Sequence, residues 1–251
     1  MNRPARKQRF RETTGLEIRR TARELLVEHG QEAVTLRAIA RRLGITAPAL
    51  YRYYGSRDDL VGHLRLDVIS DLGAQMAAEI AELPDNGAAV RLFSLCRIFR
   101  RWALTHTREF TLVFASPTGG VGSAEGSVTT VNRVHEPFGR VFLTTAGRVL
   151  ATQDLATPAD DVVPLSFRAD LTLYRDELAA VLASSGLPTA KLDLGTTYLM
   201  IQFWARLYGH VTLEVFGNYP IPVSNPDAVF DAVLADLARE VGLQPTSADL
   251  G

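Results

Sequence analysis

Apolar residues recur along this chain at intervals of three and four positions, and no segment alternates convincingly between apolar and polar residues. Intervals of three and four place side chains on one face of an α-helix, whereas strict alternation is typical of a β-strand. The pattern therefore predicts an all-α protein. Its helices are expected at 14–29, within 35–56, and at 57–83, 87–107, 109–115, 128–152, 166–184, 190–217 and 226–242.

Two short amphipathic helices separated by a tight turn are predicted in the stretch 35–60. The apolar face of the first occupies positions i, i+3, i+4 and i+7, which are Leu36, Ile39, Ala40 and Leu43. Gly44 follows, where a left-handed backbone ends a helix at least cost. Thr46 is placed to cap the second helix, and Pro48 falls in its first turn, where a missing N–H is tolerated. This order is typical of a helix-turn-helix.

The same stretch resembles the N-terminal domain of tetracycline-repressor (TetR) family regulators, through the order T-L-R-x-I-A-x-x-L-G-I-T-x-x-A-L-Y-x-Y-Y-x-S-R-x-x-L. The match extends over residues 14–66. The resemblance implies a three-helix DNA-binding domain there and a larger helical ligand-binding and dimerisation domain at 67–244. It further implies a transcriptional regulator, usually a homodimeric repressor that a small, largely apolar ligand releases from an inverted-repeat operator.

Base reading by a helix-turn-helix comes mainly from the first residues of its second helix, which lies in the major groove. Here those residues are small, namely Thr46, Ala47, Pro48 and Ala49. They offer one hydroxyl and surfaces that suit thymine methyl groups, so only modest direct readout is expected from them. The resemblance implies that Arg37 reaches a guanine. It also implies phosphate contacts from Thr35, Tyr51, Tyr53 and Arg57, and a core position for Tyr54.

The N-terminal residues 1–13 carry five basic side chains and almost no apolar partners, which predicts a mobile arm. Such an arm either contacts DNA or serves only to keep the protein soluble. Thr14 and Glu17 have the spacing of a capping box, so the first helix is expected to begin at this point. Three arginines of that helix are expected on its solvated surface: Arg19, Arg20 and Arg23.

The formal net charge of −1 conceals an uneven distribution. Residues 1–65 hold 14 Lys or Arg and 7 Asp or Glu, whereas residues 66–251 hold 13 and 21. A basic N-terminal part joined to an acidic body fits a nucleic-acid-binding module attached to a second domain. A chance cluster of solvated charges would give the same totals, but its coincidence with the helix-turn-helix pattern favours DNA binding.

The bulk composition excludes several other classes of protein. Charged residues or His interrupt every long apolar run, so no membrane span is expected, and the N-terminus lacks the apolar region of a signal peptide. The single cysteine, Cys96, cannot form an internal disulfide, which suits a cytoplasmic protein, and its apolar surroundings predict a core thiol rather than a redox sensor. The five His residues form no ligand cluster, so neither a metal nor a cofactor is expected.

Aromatic and polar residues on the long helices of the body are candidates for an effector site. They either line a cavity for a small apolar or amphipathic effector or only fill the core, and both interpretations stay open. The candidates are Phe99, Trp102, His106, Phe110, Phe114, Phe138, Phe142, Tyr174, Gln202, Trp204 and Tyr208. The helix at 57–83 would leave the DNA-binding domain for the body and transmit the effect of the ligand as a population shift.

The last two predicted helices are candidates for contact with a second copy of the chain. The segment 190–217 is apolar on almost every face, so it must be buried in a core or against another subunit. Together with 226–242 it would contribute half of a four-helix bundle. The order Trp204-x-x-x-Tyr208-Gly209 resembles the W-x-x-x-H-G signature of one TetR subgroup, with Tyr208 at the position of the His. A flexible tail is expected at 245–251.

Two functions other than that of a ligand-responsive repressor also have some support in the sequence. His210 and Glu214 stand at i and i+4 of one helix, which could serve a helical enzyme as a metal or acid–base pair. No third ligand or nucleophile is spaced to join them, so a hydrogen-bonded or ion-paired couple is favoured. A DNA-binding activator or architectural protein that needs no ligand stays open.

Overall fold

The computed structural model describes residues 3–84, 86–115 and 136–243, with side chains from residue 13 onward. These residues form ten α-helices and no β-strand, which confirms the predicted all-α fold. The helices are α1 (Arg3–His29), α2 (Leu36–Leu43), α3 (Ala47–Leu50), α4 (Arg57–Glu82), α5 (Ala88–Thr105), α6 (Thr107–Phe110), α7 (Pro137–Thr152), α8 (Arg168–Ser184), α9 (Leu194–Val215) and α10 (Pro226–Glu240). The predicted tail at 245–251 and the first part of the helix expected at 128–152 lie outside the described residues.

The chain divides into two units. The described residues of the N-terminal unit are 3–71 and 106–115, and those of the C-terminal unit are 72–84, 86–105 and 136–243. The boundary falls within α4, between Asp71 and Leu72. The N-terminal unit therefore contains more of the chain than the predicted domain at 14–66, because it gains both the first half of α4 and the segment that begins at His106.

The local signals predicted for the helix-turn-helix are present. Thr35 stands before α2, and its Oγ accepts a hydrogen bond of 3.1 Å from the backbone N–H of Ala38. Gly44 ends α2 in the left-handed region, with φ of 67°. Thr46 occupies the position before α3 and Pro48 lies in the first turn, although the Thr46 side chain makes no capping hydrogen bond. The turn therefore has the predicted geometry, and the Thr46 hydroxyl is not used to hold it.

The first helix begins earlier than its sequence pattern indicated. Residues 3–13, predicted as an arm separate from the helix, form the first turns of α1, and the expected start at Thr14 is wrong. Pro4 stands in the first turn, where proline suits a helix. Most of the next residues are Ala, Arg, Lys and Gln, which have high helix propensity, so no capping residue at Thr14 is needed.

Apolar faces of four helices form the core of the N-terminal unit. The helix α1 packs its apolar side on α2, which in turn contacts α3. At the start of α4, the Oγ of Ser56 accepts a hydrogen bond of 3.0 Å from the N–H of Asp59. The buried members are Ile18, Ala22, Leu25, Leu26, Leu36, Ile39, Ala40, Leu50, Tyr54, Leu60, Val61, Leu64 and Val68.

The C-terminal unit is built around α5, which packs on α7 and α9. The helix α8 packs on both α7 and α9, and α10 packs on α9. The buried residues of α5 include Phe99, Trp102 and the core thiol predicted at Cys96. Asn225 caps α10, since its Oδ1 accepts a hydrogen bond of 3.1 Å from the N–H of Ala228. In the part of the chain described here, no helix is both long and apolar enough to cross a membrane.

One expectation for α9 is met only in part within a single protomer. Its sequence is apolar on almost every face, yet few of its side chains are buried in the protomer, and Leu213 is 39% exposed. The buried residues are Gly195, Thr196, Thr197, Leu207, His210 and Val211. The other apolar positions of α9 are at least partly exposed in a single copy of the chain.

Candidate DNA-binding surface

The residues predicted to meet DNA divide into exposed and half-buried positions. Arg37, Thr46 and Pro48 are exposed, and Tyr51, which follows α3 directly, is 58% exposed. The half-buried members of the set are Thr35, Ala47, Ala49, Tyr53 and Arg57. None of the predicted residues is fully buried, so the small side chains of α3 and the Tyr51 ring are accessible to a nucleic acid.

The neighbouring tyrosines Tyr51 and Tyr54 have opposite environments. Tyr54 is 4% exposed, in agreement with its predicted core position. Its hydroxyl accepts a hydrogen bond of 2.9 Å from Nη1 of Arg19 and donates one of 3.4 Å to the carbonyl of Gly15. The Tyr54 hydroxyl is therefore committed inside the unit, whereas the Tyr51 ring lies at the surface.

Arg57, the first residue of α4, has two hydrogen bonds within the unit. Its Nε donates to the carbonyl of Val34 at 2.8 Å, and its Nη2 donates to the carbonyl of Gln31 at 2.8 Å. These carbonyls belong to the connection between α1 and α2. The side chain remains 34% exposed. The predicted phosphate contact therefore competes with a contact that holds the backbone just before α2.

The outer side of α2 carries further positive charge. Arg41 is exposed, and Arg42 makes a bidentate ion pair with Glu28, with N–O distances of 2.7 and 2.8 Å. A groove of about 470 Å³ lies beside these residues. It is lined by Leu25, His29, Glu32, Ala33, Thr35, Ala38, Arg41 and Arg42. None of the aromatic residues predicted for an effector site lines this groove, which belongs to the N-terminal unit.

Two arginines that sequence reasoning placed on the solvated surface of the first helix are ion-paired instead. Arg19 pairs with Asp67, and Arg23 pairs with both Asp71 and Glu109. Only Arg20 matches the expectation, with a side chain that is 75% exposed. The sequence contains a signal for these ion pairs. Arg19 and Arg23 are four residues apart on α1, and Asp67 and Asp71 are four residues apart on α4. Such matched spacing is typical of two facing helices.

The segment after α5 is attached to the N-terminal unit by side-chain contacts with backbone carbonyls. Arg108 donates to the carbonyl of Val27 at 2.6 Å, and Arg65 donates to the carbonyl of Val113 at 3.0 Å. The segment was predicted as one short helix, but it consists of α6 followed by a π-helical turn at Thr111–Ala115. Turns of this kind are frequent at functional sites.

The predicted effector-site residues are distributed over both units of the chain. The largest group is a cluster of stacked and edge-on rings in the C-terminal unit, with centroid separations of 5.3 to 6.1 Å, made by Phe99, Phe138, Phe142, Trp204 and Tyr208. Phe110 and Phe114 pack on each other in the N-terminal unit, with a centroid distance of 5.2 Å. Tyr174 packs in an aliphatic cluster with Leu178 and Leu182.

The remaining members of the predicted set are not all buried. Trp102 is 3% exposed, Gln202 is half-buried, and His106 is a half-buried residue at the start of α6. Within the ring cluster, Phe99 is fully buried, whereas Phe142 and Trp204 keep part of their surface exposed. The predicted set therefore contains one aromatic cluster of five rings in the C-terminal unit.

His210 and Glu214, the pair weighed for an enzyme, each have other partners. The carboxylate of Glu214 accepts two hydrogen bonds from Arg100, of 2.7 and 2.5 Å. Nε2 of His210 lies 3.0 Å from the hydroxyl of Tyr219. Burial lowers the pKa of His210, against the attraction of Glu214. Among the described residues, no three His, Cys, Asp or Glu side chains are grouped to hold a metal ion.

Comparison with known proteins matches both units of the chain. The family described as bacterial regulatory proteins, tetR family, matches residues 18–64, and the tetracyclin repressor-like C-terminal domain matches residues 92–237. The HTH-type transcriptional regulators Rv1816 of Mycobacterium tuberculosis and Mb1846 of Mycobacterium bovis are each 31% identical over 88% of this chain and 89% of their own length. The crystal structure of the regulatory protein SCO4313 is similar, with a TM-score of 0.60, 26% identity, and coverage of 92% of this chain and 97% of that one.

Proposed function

This chain belongs to the tetR family of bacterial regulatory proteins, and we propose that it is a homodimeric repressor that a small, largely apolar ligand releases from an inverted-repeat operator. The observation that carries the DNA-binding part is the exposure of Arg37, Thr46, Pro48 and Tyr51 in and around the helix-turn-helix. These residues belong to the N-terminal part of the chain, in which basic residues outnumber acidic ones by two to one.

The proposed contacts divide by chemistry into base and backbone contacts. Thr46, Ala47, Pro48 and Ala49 meet base edges, where their small surfaces suit thymine methyl groups, and Arg37 reads a guanine. Thr35, Tyr51 and Tyr53 bind phosphate oxygens through hydroxyl groups. Since α3 is short and poor in polar side chains, Arg37 carries most of the direct base recognition. One such module buries only about 600–1,000 Å² of protein surface, so two modules are needed for tight specific binding.

The proposed dimer interface is formed by α9 and α10 of each subunit. Gly209 supports this assignment, because a Cβ at that position would meet nothing within 4 Å in the protomer. A glycine inside a helix lowers helix stability by roughly 1 kcal/mol relative to alanine. No contact within the protomer requires glycine at position 209, whereas close approach by a helix of a second copy would require it. The exposed Leu213 and Phe216 lie on the same helix or directly after it. A four-helix bundle would cover them.

The proposed effector site is the ring cluster of the C-terminal unit. Its supporting features are the number of rings, the half-buried Phe142 and Trp204, and the half-buried Gln202 on the same helix as Trp204. An apolar ligand with one polar group would separate the rings and stabilise a different packing of α5, α7 and α9. Because a ligand shifts an equilibrium only by its differential affinity, release from DNA requires that the ligand prefer the state in which the two DNA-binding units are wrongly spaced.

The experiment starts with a pool of random duplexes, from which the wild-type protein selects its own operator. We expect an inverted repeat with half-site centres about 34–36 Å apart and two subunits per duplex. Arg37→Ala should relax specificity at one base pair in each half-site, by roughly 1–3 kcal/mol. Arg20→Met is the matched control, since Arg20 is an exposed arginine of the same unit. Failure to enrich any duplex would contradict the DNA-binding role.

The ligand-responsive part needs a separate experiment. A library of apolar and amphipathic small molecules is screened for compounds that raise the melting temperature of the protein. Each hit is then tested for its effect on affinity for the selected duplex. A compound that both stabilises the protein and weakens DNA binding supports the repressor mechanism. If every stabilising compound leaves DNA affinity unchanged, the protein is a ligand-independent regulator, and the effector-site proposal is wrong.

A further inference from the structure

We infer that Arg57 is a positioning residue, which sets the orientation of α2 and its Arg37 on DNA and does not itself bind a phosphate. The inference rests on the proposed function, because it concerns how Arg37 is presented to a base pair. Its starting point is a contact inside the N-terminal unit, where one guanidinium joins the start of α4 to the backbone that enters α2.

The two carbonyls that Arg57 binds are adjacent to the start of α2. Gln31 opens the 3-10 turn Gln31–Ala33, and Val34 is the residue before the capping Thr35. Nε and Nη2 lie on one edge of the planar guanidinium, and each donates at 2.8 Å to one of these carbonyls. Val34 is 1% exposed, so its side chain is anchored in the core. The two Arg57 hydrogen bonds and the buried Val34 side chain together fix the connection before α2.

A short series of hydrogen bonds connects this anchor to Arg37. The N–H of Thr35 donates to the carbonyl of Ala33 at 2.9 Å, and the Thr35 Oγ accepts the N–H of Ala38 at 3.1 Å. These bonds fix the first turn of α2 relative to the connection that Arg57 holds. Arg37 is the second residue of α2 and lies in that turn. A displacement of the connection would therefore move the base-reading side chain with it.

The surroundings of Arg57 disfavour a phosphate at the same guanidinium. Asp58 and Asp59 stand in the first turn of α4. The Nη1 of Arg57, which makes neither of the two carbonyl bonds, lies 3.9 Å from Oδ1 of Asp58. The Asp58 side chain is 94% exposed, so a negative charge lies at the surface beside the Arg57 guanidinium. Repulsion between carboxylate and phosphate opposes close contact at this point.

The substitution Arg57→Lys separates the two roles, because lysine keeps the positive charge but lacks the planar guanidinium. A Lys ammonium binds phosphate as a point charge, whereas two carbonyls in one plane match the fork of an arginine. If Arg57 serves a phosphate, Arg57→Lys should retain most of the affinity. If it positions α2, Arg57→Lys should behave like Arg57→Met. The neutral variant alone would not separate the two roles, because both predict a loss.

The experiment measures affinity for the duplex that the wild type selects and for a scrambled duplex of equal length, between 50 and 200 mM salt. We expect Arg57→Lys and Arg57→Met to lose about tenfold or more on the selected duplex, as loss of the Arg37 contact with its base would produce. Affinity for the scrambled duplex should stay unchanged. The slope of log affinity against log salt should stay at the wild-type value, whereas a lost phosphate contact lowers its magnitude by about 0.9. Arg20→Met controls for the removal of one exposed charge.

A double-mutant cycle of Arg57 and Arg37 distinguishes positioning of α2 from a general loss of stability, because only positioning predicts that the two effects on DNA affinity are non-additive. In an Arg37→Ala background, the substitution Arg57→Lys should cost much less than it does alone, since the side chain that it positions is gone. Circular dichroism at the assay temperature verifies that each variant is folded. Equal losses in both backgrounds would overturn the inference, as would wild-type affinity for Arg57→Lys together with a lower salt slope for Arg57→Met.

Hydrogen exchange in the free protein separates failure of this inference from failure of the proposed function. If the wild type enriches no duplex, the proposed function fails, while the anchoring of α2 is still measurable. The amides of residues 35–39 should exchange faster in Arg57→Lys than in the wild type and in Arg20→Met. Unchanged exchange there would overturn the anchoring, whatever the outcome with DNA.

Discussion

Arg23 of α1 donates its Nε–H to the carboxylate of Glu109 in α6, a residue that is 86 positions later in the chain and only 3% exposed. The same guanidinium also pairs through Nη1 with Asp71 of α4. One arginine therefore joins three segments of the N-terminal unit, among them the segment that re-enters this unit after α5. A buried carboxylate without a partner is costly, so the contact with Arg23 offsets the cost of burying the Glu109 side chain.

The first prediction concerns this ion pair. Glu109→Ala removes the buried partner of Arg23 and should destabilise the docking of 107–115 on α1 by about 1–3 kcal/mol. Hydrogen exchange read by mass spectrometry should show faster exchange in peptides from 18–29 and 107–115, with no change in α8. Arg20→Met is the control, because an exposed arginine of the same helix contributes less than about 0.5 kcal/mol. Unchanged exchange in both peptides would show that other contacts hold the segment.

Local signals predicted the fold well, because they depend on residues that are close in sequence. Gly44 ends α2 and Pro48 lies in the first turn of α3, where the pattern placed them. The start of α1 was missed because a capping-box spacing at Thr14 competed with a run of good helix formers before it. The high helix propensity of residues before Thr14 extends α1 through Thr14, although this residue type could also cap a helix.

The candidate site was less predictable, because its contacts join distant parts of the sequence. The periodicity of α1 placed Arg19 and Arg23 on one face but could not show which carboxylates face them. The aromatic set shows the same limit, since helical spacing predicts a face and not the neighbour of that face. Phe110 belongs to the N-terminal unit and Tyr174 packs in an aliphatic cluster, whereas Phe99 belongs to the ring cluster of the C-terminal unit.

The second prediction uses Tyr51 and Tyr54 as a matched pair. Tyr51→Phe removes an exposed hydroxyl, so it should leave stability unchanged and weaken DNA binding roughly tenfold, as expected for one hydrogen bond to a charged phosphate. Tyr54→Phe removes a hydroxyl that is bonded to Arg19, so it should lower stability by about 1 kcal/mol and leave the affinity of the folded protein unchanged. Urea denaturation and fluorescence anisotropy with the selected duplex measure the two effects. The assignments would be wrong if the two variants exchanged phenotypes.

The third prediction is a pH dependence of the C-terminal unit that originates at His210. Burial lowers the pKa of His210 from its ordinary value of 6.5, so the unfolded chain binds a proton that the folded chain does not. Stability should therefore be unaffected well above pH 6.5 and should fall as the pH drops from 6.5 towards the lowered pKa. The groups that face this imidazole are Tyr219, Phe230, Glu214 and Arg100.

His210→Gln removes the titrating group and should flatten the profile below pH 6.5 relative to the wild type. Both tryptophans, Trp102 and Trp204, lie in the same unit as His210, so their fluorescence reports its unfolding in urea. His63→Gln is the control, because the His63 side chain is 53% exposed in the N-terminal unit. Parallel profiles for the wild type and His210→Gln would mean that other groups cause any loss in acid.

The fourth prediction contrasts two glycines of α9. A Cβ at Gly195 would lie 1.8 Å from the carbonyl oxygen of Pro158, and the N–H of Gly195 donates to Oδ1 of Asp160 at 2.9 Å. Because the obstacle is backbone, Gly195→Ala must displace the 158–160 connection, and we expect it to destabilise the C-terminal unit by about 1–3 kcal/mol. At Gly209, a Cβ would find open space in the protomer. Gly209→Ala should therefore stabilise the isolated protomer by up to about 1 kcal/mol through helix propensity.

The same substitution at Gly209 tests the proposed interface in the opposite direction. If α9 of a second copy approaches closely at this position, the added methyl group must separate the two helices and weaken dimerisation. Sedimentation equilibrium should then show a higher dimer dissociation constant for Gly209→Ala, although its protomer is more stable. A bulkier side chain in Gly209→Leu should enlarge the effect, since overpacking an interface costs more as volume increases. Dimers of wild-type affinity in both variants would exclude Gly209 from the interface and direct the search to another face of the C-terminal unit.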